Sequence, residues 1–156
     1  MNAAIRTVGM TLALFFVAAV GTFAADANLG TWKLNEGKST LAAGAAKNST
    51  VMYETAGDSI KVTIDGTDAK GAVTHSEWTG KFDGHDYAVT GDPTSDMRSY
   101  TRIGKNTLNF AVMSAGKVGM TGRILIAGNG KTRTVTSTST DAMGAKLTST
   151  AVFDKQ

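Results

Sequence analysis

Beyond residue 49 the chain is a succession of short stretches in which apolar and polar residues alternate, each ending near a Gly, Asn or Asp. Side chains of a strand point to opposite faces in turn, so a period of two describes strands with one buried face. A tight turn between two such strands makes the pair antiparallel. The stretches fall at 50–54, 60–64, 73–82, 87–89, 97–103, 107–113, 117–126, 131–138 and 146–153; with the segment around Trp32 they make about ten strands. Their connections include Thr55-Ala56-Gly57-Asp58, Asp83-Gly84, Gly104-Lys105-Asn106, Ser114-Ala115-Gly116 and Gly128-Asn129-Gly130, all rich in residues that tolerate positive φ. The expected fold is all-β: an antiparallel up-and-down meander closed into a small barrel of about 8–10 strands, since closure removes the unpaired edges of an open sheet. The single proline, Pro93, falls in the turn Gly91-Asp92-Pro93-Thr94, where its missing N–H breaks no ladder.

The first 24 residues are of another kind. Arg6 is followed by an almost wholly apolar run, Met10 to Val20, and then by the small residues Gly21, Thr22, Ala24 and Ala25. That order reads as a secretory signal peptide cleaved after Ala24, because the apolar run is well short of the roughly 20 residues that a spanning helix needs. Residues 25–156 are then a single exported domain, periplasmic or secreted. It contains no cysteine and must stand on its own core. Without Arg6, fifteen basic residues face thirteen acidic ones, and the basic residues are spread along the chain. A nucleic-acid partner is not expected from such a distribution. Stable membrane insertion as an outer-membrane barrel is not expected either, because aromatic residues are only 7% of the chain and no aromatic girdle is visible.

Two local features stand out within the domain. Residues 35–49 are rich in Gly, Ala, Ser and Lys without periodicity and read as a loop, with at most one helical turn at 41–46. Thr67-Asp68-Ala69-Lys70-Gly71-Ala72 returns about 73 residues later as Thr140-Asp141-Ala142-Met143-Gly144-Ala145. One pair is too few for a repeat architecture, so the echo reads as one good turn used twice.

Leu29-Gly30-Thr31-Trp32-Lys33-Leu34 at the head of an antiparallel barrel resembles the Gly-x-Trp opening of the lipocalin and fatty-acid-binding (calycin) families. The chain as a whole also resembles a widespread type of small exported bacterial protein, through Gly30 to Asn35, Asp83 to Tyr87 and Val89 to Pro93. The calycin resemblance implies that the tryptophan plugs the closed end of the barrel and that a cavity at the other end holds a small apolar ligand. Two departures are visible. Lipocalins lay an arginine from the last strand across that tryptophan, and 147–153 has none, leaving Arg123 and Arg133 as the nearest substitutes. Fatty-acid-binding proteins carry a helical lid for which residues 35–49 are too short.

Side chains two apart share a strand face, so Arg98, Tyr100 and Arg102 lie together. Facing inward they would grip a carboxylate or phosphate bidentately, and facing outward they form a solvated stripe, which is the preferred reading. His75 and Glu77 share the face opposite Trp78, Gly80 and Phe82, so the aromatic pair is expected in the core and the His-x-Glu pair in solvent. With only His85 besides, three convergent metal ligands are not in view, and neither a metal site nor an enzymatic constellation is expected. Gly128-Asn129-Gly130-Lys131-Thr132 ends like a phosphate-binding loop but leads into a strand-forming run, so it reads as a hairpin.

The expected inward set is Ile60, Val62, Ile64, Trp78, Phe82, Leu108, Phe110, Val112, Ile124 and Ile126, with methionines as adaptable filling. The candidate ligand-binding residues are Trp32, Trp78, Phe82, Arg98, Tyr100, Arg102 and Phe110. The leading functional reading is a soluble, non-enzymatic exported barrel that binds or carries a small, mostly apolar molecule without a cofactor. The alternative is a filled barrel acting through its surface, as an envelope accessory protein or an inhibitor of a secreted hydrolase. The tight turns speak for that alternative, since they leave no long loop or lid to guard a mouth.

Overall fold

The computed structural model describes residues 26–141 and 143–156; the signal peptide read at 1–24 lies outside them. Ten strands follow one another: β1 Gly30–Leu34, β2 Lys47–Ala56, β3 Ser59–Thr67, β4 Val73–Gly80, β5 Tyr87–Thr90, β6 Met97–Gly104, β7 Thr107–Ser114, β8 Lys117–Ile126, β9 Thr132–Thr140 and β10 Lys146–Lys155. Each pairs antiparallel with its neighbours in sequence, and β1 closes on β10 through Trp32↔Lys155, Lys33↔Asp154 and Leu34↔Phe153. The all-β closed barrel read from the alternation is therefore the fold. All ten residues assigned inward face the interior. His75 and Glu77 stand outside, where His75 Nδ1 lies 2.6 Å from Asp65 and Lys61 Nζ 2.7 Å from Glu77.

Several boundaries differ from expectation for local reasons. β4 ends at Gly80, and Phe82 leaves the ladder; its carbonyl accepts from Arg102 N at 3.0 Å as the chain crosses below β6. β10 runs on to Lys155, because β1 is there to pair with it. The helical turn expected at 41–46 is instead a single 3-10 turn at Glu36–Lys38, where the Asn35 side chain accepts from Lys38 N. The two echoed turns are the same device. In each, the opening aspartate carboxylate (Asp68, Asp141) accepts from two backbone N–H groups, Lys70 and Ala72 in one and Met143 and Ala145 in the other.

The short β1 shapes the site. It has five residues where β2 and β10 have ten each, so it spans only half the height of the wall. Residues 39–46 take its place as a strap laid against β10. Thr40 and Thr150 exchange both backbone hydrogen bonds (2.8 and 2.7 Å), Ser149 Oγ accepts from Ala42 N, and Ser39 Oγ accepts from Val152 N.

The interior has two halves. The lower one is solid. Trp32, Tyr53, Val62, Trp78, Leu108 and Ile126 are buried there, and the Trp78 ring stacks on Phe82 and meets Tyr100 edge-on with centroids 4.8 Å apart. Its bottom is sealed by the segment before β1, where Asn28 is buried and its carbonyl accepts from Trp32 Nε1 at 2.8 Å. Gly122 makes room on the β8 side, since a Cβ there would sit 2.5 Å from the Phe110 ring and collide with the Thr136 carbonyl. The upper half is hollow.

Candidate ligand cavity

The hollow half is one cavity of about 340 Å³, at the small end of the range for ligand pockets. That is the liquid volume of roughly ten waters, enough for a compact small molecule. One wall is apolar, made by Val51, Ile64, Phe110, Val112, Met120 and Ile124. The facing wall carries hydroxyls, with Ser137 and Ser139 on β9 and Ser149 on β10, and the strap residues Leu41 to Ala46 complete the circumference. An unperiodic stretch read as a loop thus forms part of the cavity wall.

Two guanidiniums reach the cavity. Arg133 is 4% exposed, and its Nη2 donates to Tyr53 Oη at 2.7 Å. Its charge lies over the Tyr53 and Phe153 rings, 4.7 and 5.6 Å from their centroids, while Nε and Nη1 have no partner. Among the described residues no carboxylate pairs with it. Arg98 is 7% exposed, with Nη2 3.6 Å from Asp92 and Nε unpartnered. Burial works against the charge of Arg98, but Tyr100 and Asp92 beside it outweigh burial and hold the guanidinium firmly protonated. The Tyr53 phenol, between the two arginines, is pushed well above the ordinary tyrosine range, chiefly by burial. Such a floor presents fixed N–H donors and positive charge in a medium of low dielectric, where an anion would be held strongly.

The candidate residues from sequence separate into three places. Arg98, Tyr100 and Phe110 line the cavity. The preferred outward reading of the Arg-x-Tyr-x-Arg stripe is therefore corrected: its first two members point in, because β6 begins beside the cavity. Arg102, two residues lower, reaches the bottom rim, where it is ion-paired with Asp26 and lies over the Phe82 ring at 5.1 Å. Trp32, Trp78 and Phe82 belong to the solid half and do not touch the cavity. Trp78 supports it from below, its Nε1 donating to the Arg98 carbonyl at 2.9 Å. The cation across Trp32 is neither Arg123 nor Arg133 but Lys155, 5.0 Å from the ring centroid. Sequence reasoning misses Arg133, Tyr53 and the three serines as site residues. The one usable signal for Arg133 is its place on the same strand face as Val135, amid a threonine-rich run.

Asp92, the acid facing Arg98, is fixed by Ser95 Oγ, Thr94 Oγ1 and Thr94 N at 2.6, 2.7 and 2.8 Å. Burial would raise its carboxyl, but these hydrogen bonds and the Arg98 charge prevail and hold it below the ordinary carboxylate range. A depressed folded value means that the unfolded chain binds the proton more tightly. Asp92 therefore stabilises the fold above about pH 4, and that contribution is lost as pH falls through the lower folded value. The stability difference between the wild type and Asp92→Asn in urea unfolding is expected to close between about pH 6 and pH 2. A difference that stays constant over that range would show that the charge of Asp92 contributes nothing.

No family model matches the chain. No curated protein matches it either. Among solved structures, a redesigned β-barrel, mFAP1, bound to DFHBI aligns with 17% identity over 83% of this chain and 95% of its own, with a TM-score of 0.43. EF1p2_mFAP2b bound to DFHBI aligns with 14% identity over 85% of this chain and 96% of its own, with a TM-score of 0.47.

Proposed function

We propose that the protein is an exported, non-enzymatic barrel that binds or carries a small, mostly apolar molecule bearing one anionic group, with that group on Arg133 and Arg98 and the apolar body against β6–β8. The observation that carries this reading is the buried, unpaired Arg133 guanidinium facing a cavity. Burying a charged group costs several kcal/mol unless it is matched, and the hydrogen bond to Tyr53 and two aromatic faces match it only in part. An anion in the cavity would complete the set. Export is supported by the apolar run at residues 10–20 behind Arg6. The surface-acting alternative is less favoured, because a filled barrel has no use for two buried arginines beside an empty volume.

Calorimetric titration with octanoate and with octanol tests the reading, since the two share a chain and differ in charge. Octanoate is expected to bind at least about 30-fold more tightly, as the roughly 2 kcal/mol of a charge-assisted hydrogen bond implies. Equal affinities would remove the arginines from the site, and the absence of binding by either would remove the cavity from the function.

A further inference from the structure

A second pocket of about 200 Å³ lies at the β7–β8 bulge, and it shares two lining residues with the main cavity, Val112 and Met120. The ladder there runs Val112↔Met120 and then Met113↔Val118, so Gly119 is left without a partner. Gly119 lines this pocket, and a Cβ there would meet no atom within 4 Å, so a side chain at 119 has room. The two pockets therefore meet at Val112 and Met120. One is methionine, whose three rotatable bonds let it swing without strain.

We propose that Met120, with Val112 beside it, is the partition that sets the length of ligand the barrel accepts, and that the bulge pocket receives the end of a longer apolar tail once Met120 is removed or turned aside. This rests on the anion-binding reading above, since the arginine floor fixes where the tail begins. The ligand class is then a short-tailed or compact aromatic acid. The solid floor of Trp78 and Tyr100 forbids downward extension, and the bulge pocket offers a sideways one. Bulges interrupt pairing and re-aim side chains near sites, and this one lies beside both pockets.

The test is a titration series of n-alkanoates from six to fourteen carbons against the wild type, Met120→Ala, Gly119→Leu and the double variant. Affinity in the wild type is expected to rise about fourfold per added carbon and to flatten at roughly ten, where the main cavity is full. In Met120→Ala the rise should continue for several more carbons. Gly119→Leu, which fills the bulge pocket and does not line the main cavity, should leave octanoate binding unchanged and should restore the wild-type break when added to Met120→Ala. A wild-type series that climbs without a break, or a break that Met120→Ala does not move while short acids still bind, overturns the partition. Failure of every chain length to bind instead removes the anion-binding reading itself, and the partition with it.

Discussion

Arg133→Met is expected to make the barrel more stable and unable to hold an anion. The guanidinium is 4% exposed with two of its nitrogens unpartnered; removing it relieves a desolvation penalty of several kcal/mol and costs the hydrogen bond to Tyr53 Oη, about 1–3 kcal/mol, for a net gain of about 1–3 kcal/mol. The attraction of the cation to the Tyr53 and Phe153 rings is worth about 2 kcal/mol at most, and the new methionine keeps most of the packing against them. The desolvation of the charge, several kcal/mol, is the larger quantity and decides the sign. At this chain length the gain corresponds to a rise in Tm of about 3–10 °C. The same substitution should weaken octanoate binding about 100-fold, the loss of a charge-assisted contact worth roughly 3 kcal/mol. Scanning calorimetry and titration on one preparation read both. A variant that is destabilised while its octanoate affinity stays intact would make Arg133 a structural group. Stability gained where function is lost is a signature of sites that hold strained or unpaired groups for a purpose.

Trp78→Ala is expected to have the largest effect on folding. Its ring is 1% exposed, stacks on Phe82, touches Tyr87 and Tyr100 edge-on, and donates to the Arg98 carbonyl. Truncation removes about 3–5 kcal/mol of packing and leaves a buried carbonyl short of a donor at about 1–3 kcal/mol more. That sum approaches the whole stability of an ordinary domain. Urea unfolding should place the variant at the edge of stability in neutral buffer, whereas Trp78→Phe, which keeps an aromatic ring and loses the donor, should lose only part of it. If Trp78→Ala unfolded within about 1 kcal/mol of the wild type, the lower half could not be packed as described.

The strands are legible because each has one wet face and one dry face, and ten residues from Ile60 to Ile126 can be assigned inward on alternation alone. Alternation fails where both faces are covered or both are mixed. On β6 the face opposite Arg98 and Tyr100 carries Met97, Ser99, Thr101 and Ile103; Ser99 is itself buried, so composition cannot say which way the arginine points. On β9 the outer face is entirely threonine and the inner one reads Arg133, Val135, Ser137, Ser139, a polar sequence on both sides. The strap has no period because it is neither helix nor strand. Its role follows from the brevity of β1, which no residue of 35–46 encodes. Lys155 is invisible as the cation over Trp32 as long as the last strand is taken to stop at residue 153.

The seam between β1 and β10 joins Trp32 to Lys155, residues separated by nearly the whole length of the domain. Every other pairing in the ring links neighbours in sequence, so each can form as soon as its hairpin exists. The seam closes the longest loop among these strand pairings, the kind of contact that slows folding. Until it forms, β1 and β10 each present a bare row of N–H and C=O groups able to pair with another chain. Losing even a few residues at the carboxy terminus would therefore act less as a trim than as a break in a hoop, turning a self-contained molecule into one with two adhesive margins.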